Sequence, residues 1–314
     1  MRSSKVLTSS FRVKVLVAMM GAAALMGVFS LRYVSPRLSS PAVMEMANAR
    51  ADVRFLKPNY KAPSFSVQEI PSAAKHATLL VGDSHMEHYM PRFETAIQAD
   101  PRRASAVFAV YGGCPPLPGL NPTEPGFRCP AFYEYWTAKA RQARFTTVVL
   151  SAFWEDYTIG IYGGQGPPAP PKLLAFEGRN PTEHDYDEAW RGLEVTLRSF
   201  VEAGKRVVIF TSSPASYILD PQIGFRRLGP FRLETFHSIS RHGLEQFLAP
   251  LNGRLERVAR NSGAEIVNPL DSLCRGDECP AVEEDGSPIY RDGQHLRASK
   301  VVNLASFVDD VLRP

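Results

Sequence analysis

Five short apolar runs punctuate the chain. Residues 77–81 (Ala-Thr-Leu-Leu-Val) end at Gly82, and residues 106–110 end near Gly112 and Gly113. Residues 147–151, 206–210 and 264–267 follow, the last closed by Asn268 and Pro269. Runs this short, rich in Val and Ile and bounded by turn residues, predict strands buried on both faces. Between them the spacing turns helical. Trp190, Leu193, Leu197 and Val201 mark a helix over 186–203, and further helices are predicted over 86–97, 131–143, 244–260 and 299–312. Pro91 argues against regular helix in the first half of 86–97. Strands alternating with helices predict an α/β fold, with a five-stranded, mostly parallel sheet between helix layers. Ligands of such sheets sit beyond the carboxyl ends of the strands. The loops after the first, second and third strands are therefore the expected site. Two other loops are long: 158–184, with Gly163, Gly164, Gln165 and Gly166, and 212–234, with Arg226, Arg227 and Arg232. Such loops are either functional or plain surface insertions.

Ahead of the sheet pattern, residues 15–31 read VLVAMMGAAALMGVFSL, seventeen residues without a charge. That is the short end of the ~17–25 residues that span a bilayer as a helix. The flank before it is purely basic, so the expected topology keeps residues 1–14 in the cytoplasm and sends the rest across the membrane. A cleaved signal peptide is the competing reading, with Ala47-Asn48-Ala49 as the cleavage-like triplet. Residues 32–75 carry Pro36, Pro41, Pro58, Pro63 and Pro71 and read as an extracytoplasmic tether. The catalytic domain is expected over 76–314.

Composition narrows the class further. With 44% hydrophobic and 22% charged residues, the chain is ordinary globular protein. Its formal net charge of +4 is local, because Arg2, Lys5, Arg12, Lys14, Arg32 and Arg37 all precede the first acid, Glu45. Removing those six from 36 Lys and Arg leaves 30 basic against 32 acidic residues. That balance argues against nucleic acid as a partner.

Four cysteines stand as two local pairs, Cys114 with Cys129 around a Pro/Gly-rich loop and Cys274 with Cys279 around a short acidic one. Two local disulfides are the simplest of three connectivities, and they fit a segment outside the cytoplasm. Zinc is the rival reading, but no histidine lies near either pair.

The residues able to do chemistry cluster at strand ends. Gly82-Asp83-Ser84-His85 follows the first run, where Ser84 would cap a helix and face backbone N–H groups. A serine hydroxyl needs a base. Asp292-Gly293-Gln294-His295, before the last predicted helix, puts a carboxylate and an imidazole on one short loop. Asp292 can hold one ring nitrogen of His295 and leave the other facing Ser84, which is the division of labour of a serine triad.

These motifs, in this order, resemble the SGNH hydrolase superfamily. Cys114-Pro115-Pro116-Leu117 and the stretch from Val148 to Trp154 bring the resemblance closest to the SGNH domains attached to membrane acyltransferases that O-acylate bacterial surface glycans. The resemblance implies a three-layer α/β/α sandwich with a flavodoxin-like sheet. It also implies Ser84 as nucleophile, His295 as general base and Asp292 as its orienter. The N–H of Ser84 and that of a glycine after the second strand would form the oxyanion hole. Gly112 and Gly113 both qualify, and Gly113 is favoured because a disulfide at Cys114 would hold it. A third donor, usually Asn after the third strand, is missing, since the chain reads Ser151-Ala152-Phe153-Trp154-Glu155 there. Trp154 is expected to line the acyl pocket or donate its indole N–H, with plain packing as the alternative. His85 is expected to shape the nucleophile turn and touch substrate.

No metal and no cofactor are implied, the pair His85 and His88 being too thin a ligand set. The expected partners are an acyl donor and a glycan acceptor, with a separate multi-pass membrane protein supplying acyl groups. The expected activity is O-acyl transfer, commonly O-acetyl, to a cell-envelope glycan at the periplasmic face of the inner membrane. Hydrolysis of an acyl ester and a catalytically inactive glycan-binding module are the two alternatives.

Overall fold

The apolar runs pair into one sheet, and the sheet has six strands rather than five. In the computed structural model, which describes residues 9–30, 32, 41–54, 65–164, 166–176, 178–226 and 238–313, the strands are β1 (Ser66–Ile70), β2 (Ala77–Gly82), β3 (Ser105–Val110), β4 (Phe145–Ser151), β5 (Arg206–Phe210) and β6 (Glu265–Val267). Their order is β1-β3-β2-β4-β5-β6. Pairs among β2 to β6 are parallel, and β1 joins the edge antiparallel to β3. The extra strand lies in the stretch expected as tether. Its sequence, Ser-Val-Gln-Glu-Ile, is too polar to announce a buried strand because one face of an edge strand stays wet.

Without β1, the parallel order is that of a flavodoxin-like sheet, whose chain reverses direction of travel between β2 and β4. In register, Gly82 stands opposite both Val110 and Ser151. The loops that leave β2, β3 and β4 therefore start at one level. All six residues of β2 and all six of β3 are buried, so both faces of the sheet centre are covered.

Besides short helices over Pro221–Arg226 and Leu270–Leu273, the helices are α1 (Ser9–Phe29), α2 (Pro41–Asn48), α3 (Ser84–Glu87), α4 (Met90–Ala99), α5 (Cys129–Ala140), α6 (Glu183–Glu202), α7 (Arg241–Ser262) and α8 (Ala298–Leu304). The predicted helix over 86–97 is split into α3 and α4, with Pro91 in the first turn of α4, where a missing N–H costs nothing. Asp83, not Ser84, caps α3, its carboxylate accepting the His85 N–H at 2.7 Å. Helix α6 opens with a capping box between Thr182 and Asp185. Helix α7 closes on Gly263 in the left-handed conformation.

Two expectations for the N-terminus change. The expected span 15–31 falls on α1, whose Leu16, Leu25 and Met26 are exposed. Among the described residues, however, no helix is long and apolar enough to cross a membrane. The expected tether is in part docked. Met46, Ala49 and Phe65 are buried, and Arg297 reaches back to Asp52 at 2.8 Å and Glu45 at 2.7 Å. The physical reason is that Arg297 is 5% exposed, and a buried guanidinium requires carboxylate partners. Gln165, Arg227 and Arg232, with residues 1–8, 33–40 and 55–64, lie outside the described residues.

Candidate active site

Gly82 decides where the β2 loop can go. A Cβ built on it would lie 1.7 Å from the Ser151 carbonyl oxygen, so only glycine allows β2 and β4 to approach at this level. The chain then turns through Asp83. That buried carboxylate takes three hydrogen bonds: from the His85 amide, from the Phe153 amide at 2.9 Å and from the Tyr157 hydroxyl at 2.6 Å. Burial pushes the Asp83 carboxyl up, and these bonds oppose the push. Asp83 thus ties the β2 loop to the β4 loop. Between Ala77 and Pro91, Ser84 is the one residue that is not buried.

The far segment meets it there. His295 Nε2 lies 2.8 Å from Ser84 Oγ, across 211 positions of sequence. His295 Nδ1 lies 3.0 Å from each oxygen of Asp292. A carboxylate only accepts, so Nδ1 carries the proton and Nε2 is left to accept from the serine hydroxyl. Asp292 also accepts the amides of Gln294 at 3.0 Å and His295 at 2.9 Å. Burial raises the Asp292 carboxyl, but the bonds and charge of His295 outweigh it and hold the group at about 2. The loop is braced from β5, because the Ser216 amide donates to the Gly293 carbonyl at 2.8 Å. The arrangement can move a proton from Ser84 to His295 with the resulting charge held by Asp292.

The turn after β3 lies alongside. The Tyr111 amide donates to the Gly82 carbonyl at 2.9 Å, and the Cys114 amide closes a turn onto the Tyr111 carbonyl at 2.9 Å. Gly113 sits at the third position of that turn with φ +79, the value a type II turn demands there. Cys114 is bonded to Cys129, and Cys274 to Cys279. Both local disulfides are therefore present.

Two predicted substrate contacts are placed elsewhere. Trp154 is fully buried, donates its indole N–H to the Phe210 carbonyl at 2.9 Å and packs on Trp190. Its donor is spent inside the fold. His85 is 1% exposed, with its ring stacked on Phe153 at 4.3 Å and 5.2 Å from the His295 ring. Burial holds both His85 and His88 well below the ordinary imidazole range, so each is neutral. They form a wall behind His295 rather than a surface open to ligand. Among the described residues no group of His, Cys, Asp and Glu has the makings of a metal site.

Sequence reasoning made Ser84 the cap, gave Asp83 no role of its own, and missed the roles of Tyr157, Ser216 and Glu155. The Glu155 carboxyl is buried, bonded to the Ser212 hydroxyl, and raised by burial to about 8. No local pattern marks these residues, since their partners come from other loops.

The family model described as SGNH domain (fused to AT3 domains) matches residues 54–309. Among solved structures, the periplasmic domain of a lipopolysaccharide acetyltransferase from Salmonella ser. Paratyphi A is similar, with a TM-score of 0.53 and 16% identity. The match covers 75% of this chain and 83% of that one. At that identity the likeness is one of fold. No curated protein matches the sequence.

Proposed function

We infer the activity from the premise that this chain belongs to the family of SGNH domains fused to AT3 domains. Membership supports an acyl-transfer or esterase role. The observation that carries our reading is the line Ser84–His295–Asp292, with contacts of 2.8 and 3.0 Å. Ser84 Oγ attacks the carbonyl carbon of an acyl ester as its proton passes to His295 Nε2. The N–H groups of Ser84 and Gly113 hold the oxyanion. The tetrahedral adduct then expels the alcohol, which takes the proton from His295, and the acyl group stays on Ser84. A second hydroxyl repeats the sequence in reverse.

We assign that second hydroxyl to a cell-envelope glycan, making the product an O-acylated, commonly O-acetylated, sugar. Water in its place would give an esterase by the same steps. The lack of Asn after β4, where Ser151 to Glu155 stand, favours transfer. A family defined by fusion to membrane acyltransferase domains supports a multi-pass membrane partner as acyl donor. We place the domain in the periplasm. Two disulfides support that placement.

A serine-reactive fluorophosphonate tests the core of this reading. It is expected to label the wild-type chain and not Ser84→Ala. A folded wild type that takes no label would leave the glycan-binding module as the better reading. Incubation with an acyl-ester donor and a glycan acceptor separates the two enzymes. Acyl-glycan forming faster than free acid marks a transferase, and free acid alone marks an esterase.

A further inference from the structure

The turn that carries Gly113 has a roof that the triad does not use. A Cβ built on Gly113 would lie 2.8 Å from Lys172 Nζ and 3.2 Å from the Phe127 ring. Two distant segments therefore close over this glycine: the loop inside the Cys114–Cys129 disulfide, which carries Phe127, and the long loop after β4, which carries Lys172. The Lys172 ammonium stands 4.8 Å from the centre of the Phe127 ring, and that ring stacks on Tyr111 at 5.7 Å and 28°. Tyr111 is the residue whose amide binds Gly82, two positions before Ser84. The shelf is thus built on the strand end next to the nucleophile.

Its parts are held but not sealed. The Lys172 amide donates to the Asp156 carbonyl at 2.6 Å, which pins the lysine backbone to the loop that also supplies Phe153 and Tyr157 to Asp83. Phe127 and Lys172 are part-exposed, while Tyr111 beneath them is buried. The ammonium makes no ion pair among the described residues and feels the Asp156 charge only from a distance. Lys172 and Tyr111 cover the Phe127 ring, so the group this shelf presents to a ligand is the ammonium, which suits an anionic substituent on a sugar.

We propose that Lys172, held over Phe127 beside Gly113, belongs to the subsite for the sugar acceptor and selects a sugar residue bearing a carboxylate. This rests on the acyl-ester reading above and names its substrate class. Lys172 acts as a specificity-determining residue.

The test is binding without any acyl donor, measured by calorimetry on the full-length chain in detergent. The probes are a galacturonic acid trisaccharide and the same trisaccharide with its carboxylates reduced to alcohols. The wild type is expected to bind the acidic form about tenfold or more tightly, the scale of one charge-assisted contact. That gap is expected to close in Lys172→Met and, in the wild type, to shrink as salt is raised. The salt series needs no variant to fold. Equal affinity for the two forms, no binding of either, or a gap that survives in Lys172→Met would overturn the proposal. A lysine that served only to balance Asp156 would leave the preference unmoved. Fluorophosphonate labelling of Ser84 in the same wild-type preparation reports separately on the acyl-ester reading.

Discussion

At the scale of single residues, Asp292, Glu155 and Gly82 bear different loads. Asp292 keeps the His295 Nδ1 proton in place, so Asp292→Asn is expected to lower ester turnover by about 10³–10⁴-fold while Ser84 remains present, as measured by kcat. The Asp292 carboxyl is depressed to about 2, so its contribution to stability is complete above the ordinary carboxylate range and fades only as pH falls toward 2. Glu155 runs the other way. Burial raises it to about 8, so the folded chain keeps a proton there that the unfolded chain releases above about 4.5. Stability contributed through Glu155 therefore falls as pH rises between those two values. Glu155→Gln is expected to flatten that slope, which denaturant midpoints at mildly acidic and mildly alkaline pH would show. Gly82 has no room for any side chain, and Gly82→Ala is expected to cost about 3 kcal/mol or more, read from the same midpoints, because the obstacle is the β4 backbone itself.

Elements carry the next layer. The turn after β3 is closed by the Cys114–Cys129 bond across 15 positions, while the Cys274–Cys279 bond closes only 5. Loop-closure entropy makes the longer bridge worth about 3 kcal/mol, and it also holds Gly113 and the Phe127 roof. Cys114→Ser with Cys129→Ser is expected to lower both the melting temperature and kcat. Removing the second pair is expected to leave kcat within about twofold, because Cys274 and Cys279 lie outside the loops that meet at Ser84. The split between α3 and α4 shows how far local signals reach. Pro91 announced that a helix over 86–97 would not run smoothly, and the break falls at His88 and Tyr89, while only the packing of Asp83 against Phe153 and Tyr157 shows why α3 starts at Ser84.

Across the whole molecule, the N-terminal segment and the catalytic loop are joined. Arg297 stands two positions from His295 and pairs with Asp52 and Glu45, and the Asp52 carbonyl also accepts the Ala298 amide at 3.2 Å. Asp52→Ala leaves a buried guanidinium short of a partner, at a cost of about 1–3 kcal/mol. Hydrogen exchange is expected to quicken over 288–299 in that variant. Unchanged exchange there would show that the segment before β1 does not support the His295 loop.

The sequence alone determined the alternating strands and helices, the paired cysteines and the two motifs with Ser84 and His295. Each of these is written locally: in the period of apolar positions, in turn residues, or in a side chain's chemistry within a few neighbours. Edge strand β1 escaped it because a strand with a wet face lacks an apolar run, and docking of the tether escaped it because the partner, Arg297, is 245 positions from Asp52. His85 was misread because the fold buries its ring against Phe153, and Trp154 for a related cause. Residue type says what a group can donate, and only the surrounding fold decides whether that donor is already spent. Tertiary structure alone set the 2.8 Å contact of Ser84 with His295 and the roof of Phe127 and Lys172 over Gly113, because distance between remote segments depends on strand order and register, which no single stretch of chain encodes.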